Sequence, residues 1–94
     1  MRYVVDAIYL DGYRLRVRFD DGSMKIVDLY PHLDGPICEP LRDMTYFKSF
    51  RVDHDIDTVV WENGADFAPE FLYEIGEDVG EQLPADGSSL RFGR

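Results

Sequence analysis

Between residues 13 and 19 the chain alternates strictly, with apolar Leu15, Val17 and Phe19 set between charged Arg14, Arg16 and Arg18. A period of two over this stretch predicts a half-buried β-strand. Residues 3–10 (Tyr-Val-Val-Asp-Ala-Ile-Tyr-Leu) and 23–29 (Ser-Met-Lys-Ile-Val-Asp-Leu) are rich in β-forming side chains and flank it, joined through Asp11-Gly12 and Asp20-Asp21-Gly22. Asp-Gly pairs are strong turn formers, so the three strands should follow one another as an antiparallel meander. One face of that meander is apolar and needs a cover.

The pattern then loosens. Pro31, Gly35, Pro36 and Pro40 mark a loop-rich segment, and Asp43 stands as an N-cap before a short helix running to Lys48. Residues 50–53 and 58–62 read as a second hairpin that turns through His54-Asp55-Ile56-Asp57, and Asn63-Gly64 closes its second strand. Pro69 suits the first position of a helix, where its missing N–H costs nothing. Glu70 sits in that helix's first turn, Phe71, Leu72 and Ile75 share one side, and Gly76 stops it. Residues 77–94 hold Gly80, Pro84, Gly87 and Gly93 and few large apolar side chains, which reads as a flexible or loosely docked acidic C-terminal tail. The expected fold is therefore α+β: a three-stranded antiparallel meander plus a second hairpin, two short helices packed on the sheet, one domain over residues 1–76 and a tail over 77–94.

Composition adds limits. The chain has 94 residues, enough for one domain with its own core. Its single cysteine, Cys38, allows neither an intramolecular disulfide nor a cysteine zinc site. No apolar run approaches the ~20 residues of a membrane span, and the N-terminal residues lack a signal-peptide core, so a cytoplasmic location is expected. The net charge is −9, and it is unevenly placed. The first 33 residues hold five acids and five bases, whereas residues 34–94 hold the other 14 acids against five bases. That second part should repel nucleic acid and attract a basic protein; a solvated surface that keeps the chain soluble explains it equally well.

Few residues carry candidate chemistry. Asp53, Asp55 and Asp57 alternate like the start of a calcium loop, but the sixth and twelfth positions are Thr58 and Gly64 where glycine and a bidentate carboxylate are needed. An acidic turn accounts for them. His32 and His54 belong to no metal-ligand spacing. Cys38 neighbours Glu39, which disfavours a thiolate, so a packed side chain is the simpler reading. Arg14, Arg16 and Arg18 form the one basic stripe; it could grip phosphate or an acidic segment, but pairing with acids across the sheet is favoured in so acidic a chain. No phosphate loop, nucleophile elbow or CxxC occurs, so no catalytic, cofactor or metal residues are assigned.

The stretch Trp61-Glu62-Asn63-Gly64-Ala65-Asp66-Phe67-Ala68-Pro69-Glu70-Phe71-Leu72-Tyr73-Glu74 combines with Tyr13 to Gly22, Val27-Asp28-Leu29, Pro40-Leu41-Arg42-Asp43 and Tyr46-Phe47 upstream. Together they resemble the bacterial domain-of-unknown-function family 2442, over about residues 3–74. The resemblance implies a curved antiparallel sheet with two short helices; it does not imply an enzyme. It also implies a neighbouring gene for a second small protein, with this family as the antitoxin-like member of the pair. Some relatives carry a helix-turn-helix after the domain; the segment from Glu77 is too short and Gly-rich for one, so DNA binding by that route is not expected. Relatives often place a capping Ser or Asp where this chain has Ala68, leaving Asp66 to substitute. Trp61, Asn63, Gly64, Asp66, Pro69, Glu70 and Tyr73 have structural explanations as turn, cap and packing residues.

The leading expectation is a non-enzymatic protein-interaction module that binds a basic small partner. The second is a regulatory domain that self-associates through a sheet edge, as a homodimer, and touches nucleic acid through the arginine stripe. The third is a small-molecule or enzymatic site built from dispersed residues.

Overall fold

A computed structural model describes residues 2–79. The meander is present as β1 (Val4–Asp11), β2 (Arg14–Phe19) and β3 (Met24–Asp28), paired antiparallel in that order. The second hairpin is β4 (Arg51–Asp53) with β5 (Thr58–Val60), a separate two-stranded sheet packed against β1. The short helices are α1 (Met44–Phe47) and α2 (Pro69–Ile75). The α+β expectation holds.

The turns form for local reasons. Gly12 and Gly22 adopt positive φ (48° and 88°), where a side chain would be strained, which is why each Asp-Gly pair reverses the chain. Asp43 caps α1 by accepting from the Thr45 N–H at 3.1 Å. Pro69 occupies the first turn of α2, as expected.

Register decides which side chains are covered. Across β1, β2 and β3 the inward set is Val4, Ala7 and Tyr9, then Leu15, Val17 and Phe19, then Lys25 and Val27. Leu29, Leu33, Leu41, Phe47, Trp61, Phe67 and Leu72 close over that face. Burying each such large side chain stabilises by roughly 1.5–3 kcal/mol, which makes this layer the main source of stability. Trp61 sits at its centre: its ring packs against Phe47, Phe50 and Phe67, and its Nε1–H donates to the Phe47 carbonyl at 2.9 Å.

Four features differ from expectation. The loop-rich segment folds into two 3-10 helices, Tyr30–His32 and Pro36–Arg42, with Leu33, Cys38 and Leu41 buried. Prolines near the start of each helix and inside the second fix φ and withhold N–H donors, which suits short tight turns. Secondly, the segment read as a tail begins with a strand, β6 (Glu77–Asp78), which adds to β3 through Ile26↔Glu77 and Lys25↔Asp78. The rest of that segment, from residue 80, lies outside the described residues. Thirdly, Gly76 ends α2 as expected, but in extended backbone (φ −77°, ψ 156°) and not in the left-handed conformation usual for a glycine stop. Glycine is needed there for space, since a Cβ would lie 2.8 Å from Cβ of Lys25. Finally, Asp66 does not replace the missing cap: Ala68 precedes α2 with no side-chain cap bond, and Asp66 instead bridges to Val60 through its backbone.

Candidate functional site

The outward face of the four-stranded sheet carries the arginine stripe. Its rungs are Asp6–Arg18–Met24, Ile8–Arg16–Ile26–Glu77 and Asp11–Arg14–Asp28. The three arginines do not share one state. A register shift between Tyr9 and Asp11 sets Asp11 opposite Arg14, and the two pair in a fork, Nε–Oδ1 at 2.8 Å and Nη2–Oδ2 at 2.9 Å. The guanidinium holds the Asp11 carboxyl below its ordinary pKa. Arg16 and Arg18 are exposed and have no carboxylate within 4.0 Å among the described residues. Cross-sheet pairing therefore accounts for Arg14 alone.

The motif around Trp61 is a structural clasp. Gly64 has φ 91° and its N–H donates to the Trp61 carbonyl at 2.9 Å. The Asn63 side chain works at both ends: Oδ1 accepts from the Ala65 N–H at 3.1 Å, and Nδ2 donates to the Ile37 carbonyl at 2.9 Å. The Asn63 N–H donates to the Tyr46 hydroxyl at 2.8 Å. The turn thus ties the second 3-10 helix and α1 to the second hairpin. Glu70 accepts from the backbone N–H of Arg2 at 3.1 Å. Tyr73 packs edge-on against Phe19, with the Arg2 guanidinium 3.7 Å and the Lys25 ammonium 4.3 Å from its ring centroid.

Arg2 and Lys25 are contributors that the sequence pattern did not single out, and Tyr46 entered only through the family resemblance, with no role given to it. Lys25 occupies an inward position of β3 and is buried; its stem lies along Gly76 while its ammonium reaches Asp78 at 3.3 Å. Its place was visible only as a polar break in the inward alternation of residues 23–29.

The remaining candidates resolve into structure. The Asp53 carboxylate accepts from the Asp55 N–H at 2.8 Å, and Asp57 takes φ 59°, a conformation Asp tolerates. These alternate acids shape the β4–β5 turn. No group of three His, Cys, Asp or Glu side chains among the described residues is placed to hold a metal ion. Cys38 is buried, and burial followed by the charge of Asp34 pushes its thiol pKa up. His54 is exposed in the turn, and His32 packs edge-on against Phe71 at 4.9 Å. His32 also borders an open depression of about 230 Å³ with Arg14, Ile26, Asp28, Ile75 and Glu77. Ligand pockets usually measure ~300–1,000 Å³, so this one is small. No helix among the described residues is long and apolar enough to cross a membrane.

Comparison with known proteins follows the same boundaries. A family model described as "Protein of unknown function (DUF2442)" matches residues 4–78, from the first core residue of β1 to the end of β6. The chain belongs to the DUF2442 family. The DUF2442 match spans the sheet, both helices and the clasp, so the edge strand β6 lies inside the family's unit. No curated protein and no solved structure matches the chain.

Proposed function

We propose that this domain is a non-enzymatic protein-interaction module that binds a small basic protein through its acidic surface, in an antitoxin-like role. One observation carries the reading. Of the twelve acidic residues from Asp34 to Asp78, only Asp53 and Asp78 have a cationic side chain within 4.0 Å among the described residues. Ten of the twelve are exposed and the other two half-buried. On α2, Glu70 and Glu74 stand one turn apart on the exposed side, adding like charge where a helix would gain from alternation. Unpaired like charges repel one another in the free domain and are relieved when a basic surface arrives.

The test is to mix the purified domain with the product of the gene beside its own and follow size exclusion at low and high salt. Co-elution at about 50 mM salt that is lost at about 500 mM is expected for an electrostatically steered complex. Separate elution at micromolar concentration in low salt would sink the reading.

A further inference from the structure

Both edges of the four-stranded sheet are poor templates for a further strand. β1 carries two register shifts, at Val4/Asp6 and Tyr9/Asp11, and β6 is two acidic residues long. Bulges, shortness and charge are the usual devices against edge pairing. The outward face has no such protection. Ile8 is 39% exposed there, with Ile26 and Met24 half-buried beside Arg16 and Arg18.

A solvated outer face is ordinary for an antiparallel sheet. Two guanidiniums without a carboxylate partner among the described residues are less so, in a chain with 19 acids against 10 bases. Asp6 lies directly across from Arg18 in the register, yet no ion pair forms, while Arg14 is locked to Asp11. The stripe is therefore closed at one end and open over Arg16 and Arg18.

We propose that Arg16 and Arg18, with Ile8, Ile26 and Met24 as apolar shoulders, form a track for an extended acidic segment of a partner protein. Alternate residues on a strand lie about 6.7 Å apart, and an extended segment has the same repeat. Carboxylates at positions i and i+2 of such a segment match the two guanidinium forks in step, each fork suited to bidentate contact. The isoleucines on either side of Arg16 exclude water from the pair and strengthen it over an isolated surface ion pair.

Other occupants fit less well. A long polyanion such as nucleic acid would also meet Asp6, Asp11, Asp28 and Glu77, which flank the stripe on the same face. A second copy placed face to face would set stripe on stripe. Three rungs across three strands also offer only a few hundred Å², well short of the ~800 Å² per partner of a stable dimer. The track is separate from the acidic surface of the preceding section, and neither result decides the other.

The test uses the full chain and a fluorescein-labelled peptide with repeated Glu-Val-Glu, read by anisotropy at about 50 mM salt. Saturable binding is expected, weakened about tenfold by the double variant Arg16→Gln/Arg18→Gln and by exchanging the peptide's Glu for Gln. The control double variant Lys48→Gln/Arg51→Gln removes the same charge elsewhere and should bind as the parent does. Circular dichroism melts should place all variants close to the parent. Equal loss in both double variants would reduce the effect to net charge and overturn the track. So would no binding up to about 1 mM peptide, or a short single-stranded DNA that binds more tightly than the peptide.

Discussion

Within β2, neighbours one residue apart meet opposite conditions. Leu15, Val17 and Phe19 are sealed beneath Trp61, Phe47 and Leu72, while Arg16 and Arg18 stand in water. The inward side contributes through apolar area and close packing, which is non-directional and large. The outward side contributes through charge, which water and salt weaken. Apolar packing and exposed charge are thus separated by the pleat of a single strand, so one can be changed with little effect on the other.

The strongest challenge to that division is Trp61→Ala. It empties the middle of the inward layer and strips the Phe47 carbonyl of its donor, and should cost roughly 3–5 kcal/mol in urea unfolding. A loss under about 1 kcal/mol would mean the layer is not the source of stability. The comparison is sharper on β2 itself. Leu15→Ala should cost roughly 2–5 kcal/mol, whereas Arg16→Ala should stay within about 0.5 kcal/mol. Similar losses for the two would erase the distinction between the faces.

Smaller effects come from the sheet margin. Gly76→Ala forces a Cβ against Lys25 and the Leu72 carbonyl and should destabilise by about 1–3 kcal/mol, measurable as a lowered melting temperature. Cys38 should resist alkylation in native buffer and react on unfolding, since its thiol is buried and its pKa raised; equal rates in both states would place it outside the packed layer. The smallest effect belongs to Asp11. Arg14 lowers its pKa in the folded state, so its contribution is present above the unfolded carboxylate pKa and is lost as pH falls through the folded value. Asp11→Asn should therefore be slightly less stable than the parent at neutral pH, with the gap closing in acid. A gap that widens in acid would contradict the pairing.

The legible parts of this fold were those governed by local periodicity and turn chemistry. Leu15-Arg16-Val17-Arg18-Phe19 could hardly be anything but a strand with two unlike faces, and Pro69 marked the first turn of α2. Less legible were features that depend on partners far along the chain. Lys25 is turned inward because Gly76 leaves room for its stem and Tyr73 and Asp78, some fifty residues on, receive its ammonium. β6 is too short to announce itself and exists because β3 offers it an edge. The separate fates of Arg14 and Arg16 hang on a bulge at Leu10 that no composition reveals. Asp66 was read as a cap from its position before Pro69, but a backbone bridge to Val60 claims that segment instead.

The clasp at Asn63 also bears on how the protein ages. An Asn-Gly pair is prone to deamidation, because the glycine nitrogen can attack the asparagine side-chain carbonyl and close a succinimide ring. Here the Gly64 N–H is engaged with the Trp61 carbonyl, and the Asn63 amide is held at both ends by Ala65 and Ile37. Attack of the Gly64 nitrogen on Cγ needs its N–H freed from the Trp61 carbonyl, and departure of the side-chain nitrogen as ammonia needs Nδ2 freed from the Ile37 carbonyl, so the fold shelters its own most labile amide. Mass spectrometry of warm, mildly alkaline samples should show the amide converting to acid at Asn63 much faster in urea than in native buffer, and equal rates would mean the clasp opens freely.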